Sequence, residues 1–227
     1  MSERTQSSIP FVGLHAHSGT GSPFDGLGYP GEHMDFAYQN GNDALALTDH
    51  GNMNGFAYQV QHAQKMMKEG KDFKPIFGVE AYFLPSIEEW RQELERVKED
   101  KKAKKSIDKS ASGTTIEDEG NKREVKNILN RRRHLILLAQ NQTGLNNIFS
   151  LVSKSYREEN FYRFPRIDYA MLKEHNEGVI AASACLGGVY AGNFWENKED
   201  GEGAILSAMR DTTRNMVDIF GIVTGKR

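Results

Sequence analysis

The sequence predicts an α/β fold closed as a β/α barrel, and three observations carry that expectation. Short apolar runs of strand length alternate with stretches of helical period, the order that yields parallel strands covered by helices. Acids and histidines sit at or just beyond the ends of those runs, where the active sites of barrels and open α/β sheets gather; Glu80, inside its run, is the partial exception. These residues come from at least five runs, and a barrel brings that many strands to one place more readily than an open sheet.

Taken in order, residues 1–9 (MSERTQSSI) are a polar, disordered lead-in. Phe11–His17 reads as a first strand, and alternation puts His15 and His17 on one face with Ala16 turned away. A flexible Gly/Ser/Pro-rich loop then delivers Asp25. Pro30 and Gly31 open a helix through Tyr38, ended by Asn40-Gly41. ALALTDHG, from Ala44 to Gly51, is a strand of buried type that stops at Asp49-His50-Gly51. A helix with Phe56, Val60, Ala63 and Met67 as its apolar stripe ends at Gly70. Pro75–Pro85 is a third strand with Glu80 at its middle, and a carboxylate there needs a partner, because burying it unpaired costs several kcal/mol.

From Ser86 to about Asn121 the chain is dominated by Glu, Lys, Arg, Asp and Ser, and reads as a surface insertion: a solvated helix in its first half, loop or disorder in the rest. His134 begins a fourth strand, followed by a helix with Leu145, Ile148, Phe149, Val152 and Tyr156 on one face. The aromatic segment ENFYRFPRID leads to a short helix over Tyr169–His175. Gly178–Cys185 is a fifth strand, and one last helix has Ile205, Met209, Met216 and Phe220 as core candidates.

The 227 residues suffice for one sizeable domain and not for two with good cores. A formal net charge of −2 offers no general basic field, so any nucleic-acid contact has to be local. The single cysteine, Cys185, excludes an internal disulfide and fits a reducing compartment. The polar N-terminus lacks a signal-peptide core and no run approaches transmembrane length, so the expected location is the cytoplasm, with no membrane partner.

The candidate ligands are His15, His17, Asp25, Asp49, His50, Glu80, His134 and Cys185. Imidazole, carboxylate and one thiol together suit Zn²⁺, Mn²⁺ or Fe²⁺ rather than Ca²⁺, which takes oxygen alone. More than four ligands points to two or three ions, the arrangement used to cleave phosphate esters. Neither G-x-x-x-x-G-K-[ST] nor G-x-S-x-G occurs, which sets aside P-loop and α/β-hydrolase chemistry.

Five blocks occur in a familiar order: LHAHS…FDG, ALALTDHGNMNG, KPIFGVEAYF, RHLILLAQNQTGLNNIFSLVS, and FYRFPRID with GVIAASACLGG. They closely resemble the PHP (polymerase and histidinol phosphatase) domain, in the version at the N-terminus of the bacterial replicative DNA polymerase III alpha subunit, family C. The resemblance covers about residues 10–220 apart from the charged stretch. It implies a distorted (β/α)7 barrel around a trinuclear Zn or Mn site, with Mg as an alternative. Its ligand positions fall on His15, His17, Asp25, His50, Glu80, His134 and Cys185, with Asp49 as a partner that orients an imidazole. His33, His62 and His175 match no ligand and read as surface or capping residues.

One departure bears on the expected architecture. The family closes its site with a later Asp-x-His, and no Asp-x-His occurs in these 227 residues. Without the charged stretch the length also falls short of the ~200–250 residues of a complete barrel. The expectation is a PHP barrel incomplete at its C-terminal strands, the front piece of an alpha subunit. The implied partners are the remainder of that subunit, DNA through the complete polymerase, and other replisome subunits. Three functions compete: a phosphoesterase serving replication, with 3′–5′ exonuclease as its form; a non-catalytic support or docking module; and a free-standing phosphatase. TDHGNMNG and FYRFPRID match the polymerase branch and rank the last reading third.

Overall fold

A computed structural model describes residues 11–107 and 127–222. The lead-in expected over residues 1–9 and the latter part of the charged stretch lie outside the described residues. The elements run α1 (Pro30–Gln39), β1 (Ala44–Leu47), α2 (Phe56–Lys68), β2 (Lys74–Phe83), α3 (Ile87–Ile107), β3 (Arg133–Ala139), α4 (Gln142–Ser155), β4 (Phe161–Tyr162), β5 (Phe164–Ile167), α5 (Tyr169–Glu174), β6 (Val179–Ala182), α6 (Val189–Asn197) and α7 (Glu202–Phe220). None of the described helices is long and apolar enough to cross a membrane.

The fold is mixed α/β, a barrel-like sheet that does not close among the described residues. β2 is its spine, parallel to β1 along its first half and to β5 at its end. The expectation of parallel strands throughout is corrected on the other side of β2. There β3 runs antiparallel, with Tyr82 opposite His134, and β6 runs antiparallel to β3. The physical reason is legible in hindsight: His134 begins its strand, whereas Asp49, His50 and Cys185 follow the ends of theirs. Only a reversed β3 lays a histidine at its start beside the C-terminal end of β2.

Phe11–His17 is not a regular strand. It meets β1 through one parallel bridge, Gly13 with Leu45, and through the bonds Ala46 N–H to Gly13 O and Thr48 N–H to Ala16 O, both 2.8 Å. ENFYRFPRID is more ordered than the sequence suggested. It forms an antiparallel hairpin of β4 and β5 that turns at Arg163, whose φ is +58°. The expected last helix is the single helix α7, and a further helix that the sequence did not suggest, α6, precedes it.

Two apolar clusters flank the sheet. The larger joins Val79, Ala81 and Phe83 of β2 and Leu135 and Leu137 of β3 to Ile148 and Leu151 of α4, with Ile167, Leu172, Val179 and Ile219. The smaller seats α1 and α2 on β1 through Met34, Ala37, Leu45, Leu47 and Met66. On α2 the buried methionine is Met66, while the expected Met67 is 69% exposed, so the helix is rotated from the anticipated stripe. The α4 stripe holds at Leu145 and Ile148, joined by Leu151, while Tyr156, just past the helix, is half exposed.

The first half of the charged stretch is a packed helix. On α3, Ile87, Trp90, Leu94 and Val97 are buried against Leu84 and Ile128, and the Trp90 indole donates to the Ile128 carbonyl at 2.7 Å. These apolar residues recur at helical spacing within the charged run, which high charge density masks.

Candidate metal centre

The centre is built around Glu80. Its strand is apolar, and its carboxylate is fully buried on the inner face of the sheet. Backbone pairing carries Asp49–Gly51 past it: Glu80 N–H donates to Asp49 O at 3.0 Å and Gly51 N–H to Glu80 O at 2.8 Å. His50 is thereby bridged to Glu80, and its Nδ1 lies 2.8 Å from Glu80 Oε2. His15 and His17 point the same way, as alternation requires, with Nε2 atoms 3.3 and 3.2 Å from that oxygen and 3.1 Å from each other. From the reversed β3, His134 Nδ1 meets Glu80 Oε1 at 2.9 Å.

Asp25 and Cys185 arrive on loops. Asp25 Oδ2 is 2.8 Å from His50 Nε2. Its loop is not flexible in the way its composition suggested: Gly19 N–H donates to Gly28 O, Ser22 N–H to Ser18 O and Gly26 N–H to Ser22 O, all within 2.8 Å. Asp49 holds the same loop from below. Its buried carboxylate accepts from Ser18 N (2.7 Å), Ser18 Oγ (2.8 Å) and Ser22 Oγ (3.0 Å), and Ser22 Oγ in turn accepts from His50 N–H (3.0 Å). So Asp49 fixes the loop that carries Asp25, and these bonds replace the expected one to an imidazole ring. Gly21 is required there, since a Cβ would fall 2.4 Å from Asp49 Oδ2.

Cys185 follows β6 after Ala184, which adopts a left-handed φ of +60°. The thiol lies 3.6 Å from His134 Nδ1 and 3.7 Å from Glu80 Oε1, and Gly187 N–H points to the sulfur at 3.3 Å. All seven expected ligands therefore meet in one cluster. His33, His62 and His175 stay out of it: His33 reaches the Leu27 carbonyl, His62 pairs with Asp35 at 3.1 Å, and His175 caps α5.

The electrostatics favour a cation. Burial alone would raise the Glu80 pKa, but the imidazoles of His134, His17 and His50 around it outweigh burial and hold the carboxyl well below the usual range. His50 is raised, chiefly by Glu80 and further by Asp25, against the opposing effect of burial. Glu80 Oε2 and His50 Nδ1 are buried and close, yet neither has a hydrogen bond of good geometry. Donor atoms that converge without pointing hydrogens at one another are what a shared cation would use. Three overlapping groups, His15–His17–Glu80, His17–Asp25–His50 and His50–Glu80–His134, each bring ligand atoms within 4.8 Å of one another. The donor set fits two or three ions of the Zn or Mn type.

Two neighbours escaped the sequence analysis. Tyr82 stacks parallel to His50 with ring centres 5.9 Å apart and edge-on to His134 at 5.4 Å. Arg132 lies over Phe164 at 3.7 Å and 5.3 Å from the Tyr82 ring. The signal was present, because each lies two residues from a ligand in an extended segment, Tyr82 from Glu80 and Arg132 from His134.

Comparison with known proteins assigns this cluster to a family. The PHP domain model matches residues 13–222. The chain belongs to the PHP domain family. It is 36% identical over 182 residues to the DNA polymerase III subunit alpha of Aquifex aeolicus, covering 80% of this chain and 13% of that one. The corresponding subunit of Treponema pallidum is 35% identical over 180 residues (79% and 12%), and that of Borreliella burgdorferi 35% over 199 (86% and 14%). The chain thus spans about one eighth of the length of these curated relatives. PHP domains are metal-dependent, which agrees with the donor set described above.

Proposed function

We propose that this PHP module serves DNA replication as a metal-dependent phosphoesterase that removes 3′-terminal nucleotides. The observation that carries the reading is the gathering of six further metal-type donor residues around one buried carboxylate, Glu80. His15, His17, Asp25, His50, Glu80, His134 and Cys185 would hold two or three Zn or Mn ions, with Mg as an alternative, and Asp49 would keep the Asp25 loop in reach. Such ions supply hydroxide from water near neutral pH and neutralise charge on the attacking and leaving oxygens. The chain's part is to remain ionised at Glu80, to present neutral imidazoles, and to keep the inner face of the sheet otherwise apolar through Ala46, Ile136 and Leu138. We place nucleotide polymerisation outside these residues, in the remainder of an alpha subunit that would be the module's partner. DNA would be reached through that complete polymerase, beside other replisome subunits in the cytoplasm.

A second reading, a non-catalytic support or docking module, rests on the absence of Asp-x-His from the 227 residues. Elemental analysis joined to nucleotide release from a labelled single strand, with Mn²⁺ or Zn²⁺ added, separates the two. The expected result is more than one ion per chain and slow, metal-dependent release that His50→Ala abolishes. Metal retained with no release would favour the support reading. No metal in well-folded protein would overturn both accounts of the cluster.

A further inference from the structure

Arg131, Arg132 and Arg133 form a run in which, among the described residues, only the middle member lacks a carboxylate. Arg131 makes a bidentate pair with Glu93 at 2.6 and 3.0 Å, and Arg133 pairs with Glu196. Nearby, the fully buried Arg166 spends its donors on the carbonyls of Arg131, Tyr162, Phe164 and Leu129. Among the described residues, Arg132 has one hydrogen bond, from Nη1 to the Asn130 carbonyl at 3.0 Å, and no carboxylate within ion-pair distance. Its Nε is shielded from solvent and has no acceptor. Most of its donor capacity is unspent, and an unmet buried donor costs about 1–3 kcal/mol.

The position of this guanidinium is also distinctive. It stacks on Phe164 at 3.7 Å and lies 5.3 Å from the Tyr82 ring centre, whose other contacts are His50 and His134. Arg132 directly precedes β3, two residues before His134, and both side chains contact the Tyr82 ring. Stacking between aromatic rings removes most of the rotamer freedom that a free arginine loses on binding. A fixed fork with unspent donors matches the non-bridging oxygens of a phosphodiester.

We propose that Arg132 is the phosphate-holding residue of this centre, gripping the phosphate next to the one cleaved. The inference rests on the phosphoesterase reading and adds to it. The guanidinium rests on Phe164 and 5.3 Å from the Tyr82 ring, which itself contacts His50 and His134, so it borders the ligand cluster without joining it, where the phosphate adjacent to the scissile one would lie. In a chain with net charge −2, one such local cation supplies an anchor that no general basic field provides. Substrates with two or more phosphates along a strand should therefore depend on it, and a single-phosphate ester should not.

The test measures binding of a fluorescent short oligothymidylate and of thymidine monophosphate to Zn-loaded wild type, Arg132→Gln and Arg132→Lys. Metal content and melting temperature are followed in parallel. The expected result is an affinity for the oligonucleotide about ten-fold or more weaker in R132Q, with partial retention in R132K. The slope of log affinity against log salt should fall by about 0.7, the value for one phosphate contact on a single strand. Thymidine monophosphate should bind all three alike, and metal content should stay constant. Equal oligonucleotide binding and equal salt slope in all three would overturn the role of Arg132 and leave the phosphoesterase reading standing. Loss of metal from R132Q and R132K would also overturn it, showing that the residue acts through the fold. Failure of the loaded wild type to bind the oligonucleotide at all would overturn both.

Discussion

Replacing Glu80 by Gln keeps the side chain's shape and removes its charge, and the consequences can be read separately with and without metal. In metal-free protein Glu80 is a fully buried carboxylate within 3.3 Å of His15, His17, His50 and His134. Burial opposes its ionisation but the imidazoles outweigh burial, so neutralising it should lower metal-free stability, as removing one partner of a buried charged pair does. In loaded protein the same change removes a ligand shared by two of the three candidate groups. At a free metal concentration about 100-fold above Kd, binding stabilises the wild type by about 2.7 kcal/mol. If E80Q weakens binding about 100-fold, the same concentration contributes only about 0.4 kcal/mol. For a chain of this size the metal-induced rise in Tm should shrink from about 5–10 °C to about 1 °C.

Scanning calorimetry with and without Zn²⁺, paired with elemental analysis, reads both effects. The pH dependence gives a further check. His50 is raised above its ordinary 6.5, mainly by Glu80, so in metal-free wild type it contributes stability that is complete below 6.5 and is lost as pH rises through its native value. E80Q should flatten that decline. An unchanged metal stoichiometry and an undiminished metal-induced rise in Tm for E80Q would refute the assignment of Glu80 as the shared ligand.

Two further outcomes test the supports of the site. Trp90→Ala should cost about 3–5 kcal/mol, because it empties a buried position and leaves the Ile128 carbonyl without its indole donor; a urea midpoint equal to that of wild type would return α3 to the status of a solvated insertion. Asp49→Ala should free the Ser18–Gly28 loop and lower metal affinity about 10- to 100-fold while His15 and His134 stay in place, as metal titration would show; unchanged affinity would mean the loop holds Asp25 without it.

By itself the sequence determined the candidate donor residues, most of the elements that carry them and the family. Metal donors must be particular residue types, and they stand at the ends of runs whose periodicity is local, so HAH, DH, Glu80 in an apolar strand, the histidine opening β3 and Cys185 could all be read in place. That Glu80 needed partners followed from the cost of burying a lone carboxylate. Tertiary structure decided what depends on contacts distant in the chain. The reversal of β3 is set by which side of β2 it pairs with, and no local propensity states that choice. The charged stretch conceals Trp90, Leu94 and Val97, whose burial depends on Leu84 and Ile128 being placed to receive them. Asp49 faced either an imidazole or the Ser18–Ser22 loop, and only the folding of that loop beneath β1 settled which. Arg132 looks the same as Arg131 and Arg133 in sequence. Its neighbours pair with Glu93 and Glu196, and Arg132 is left stacked on Phe164 beside Tyr82 and the candidate ligand histidines.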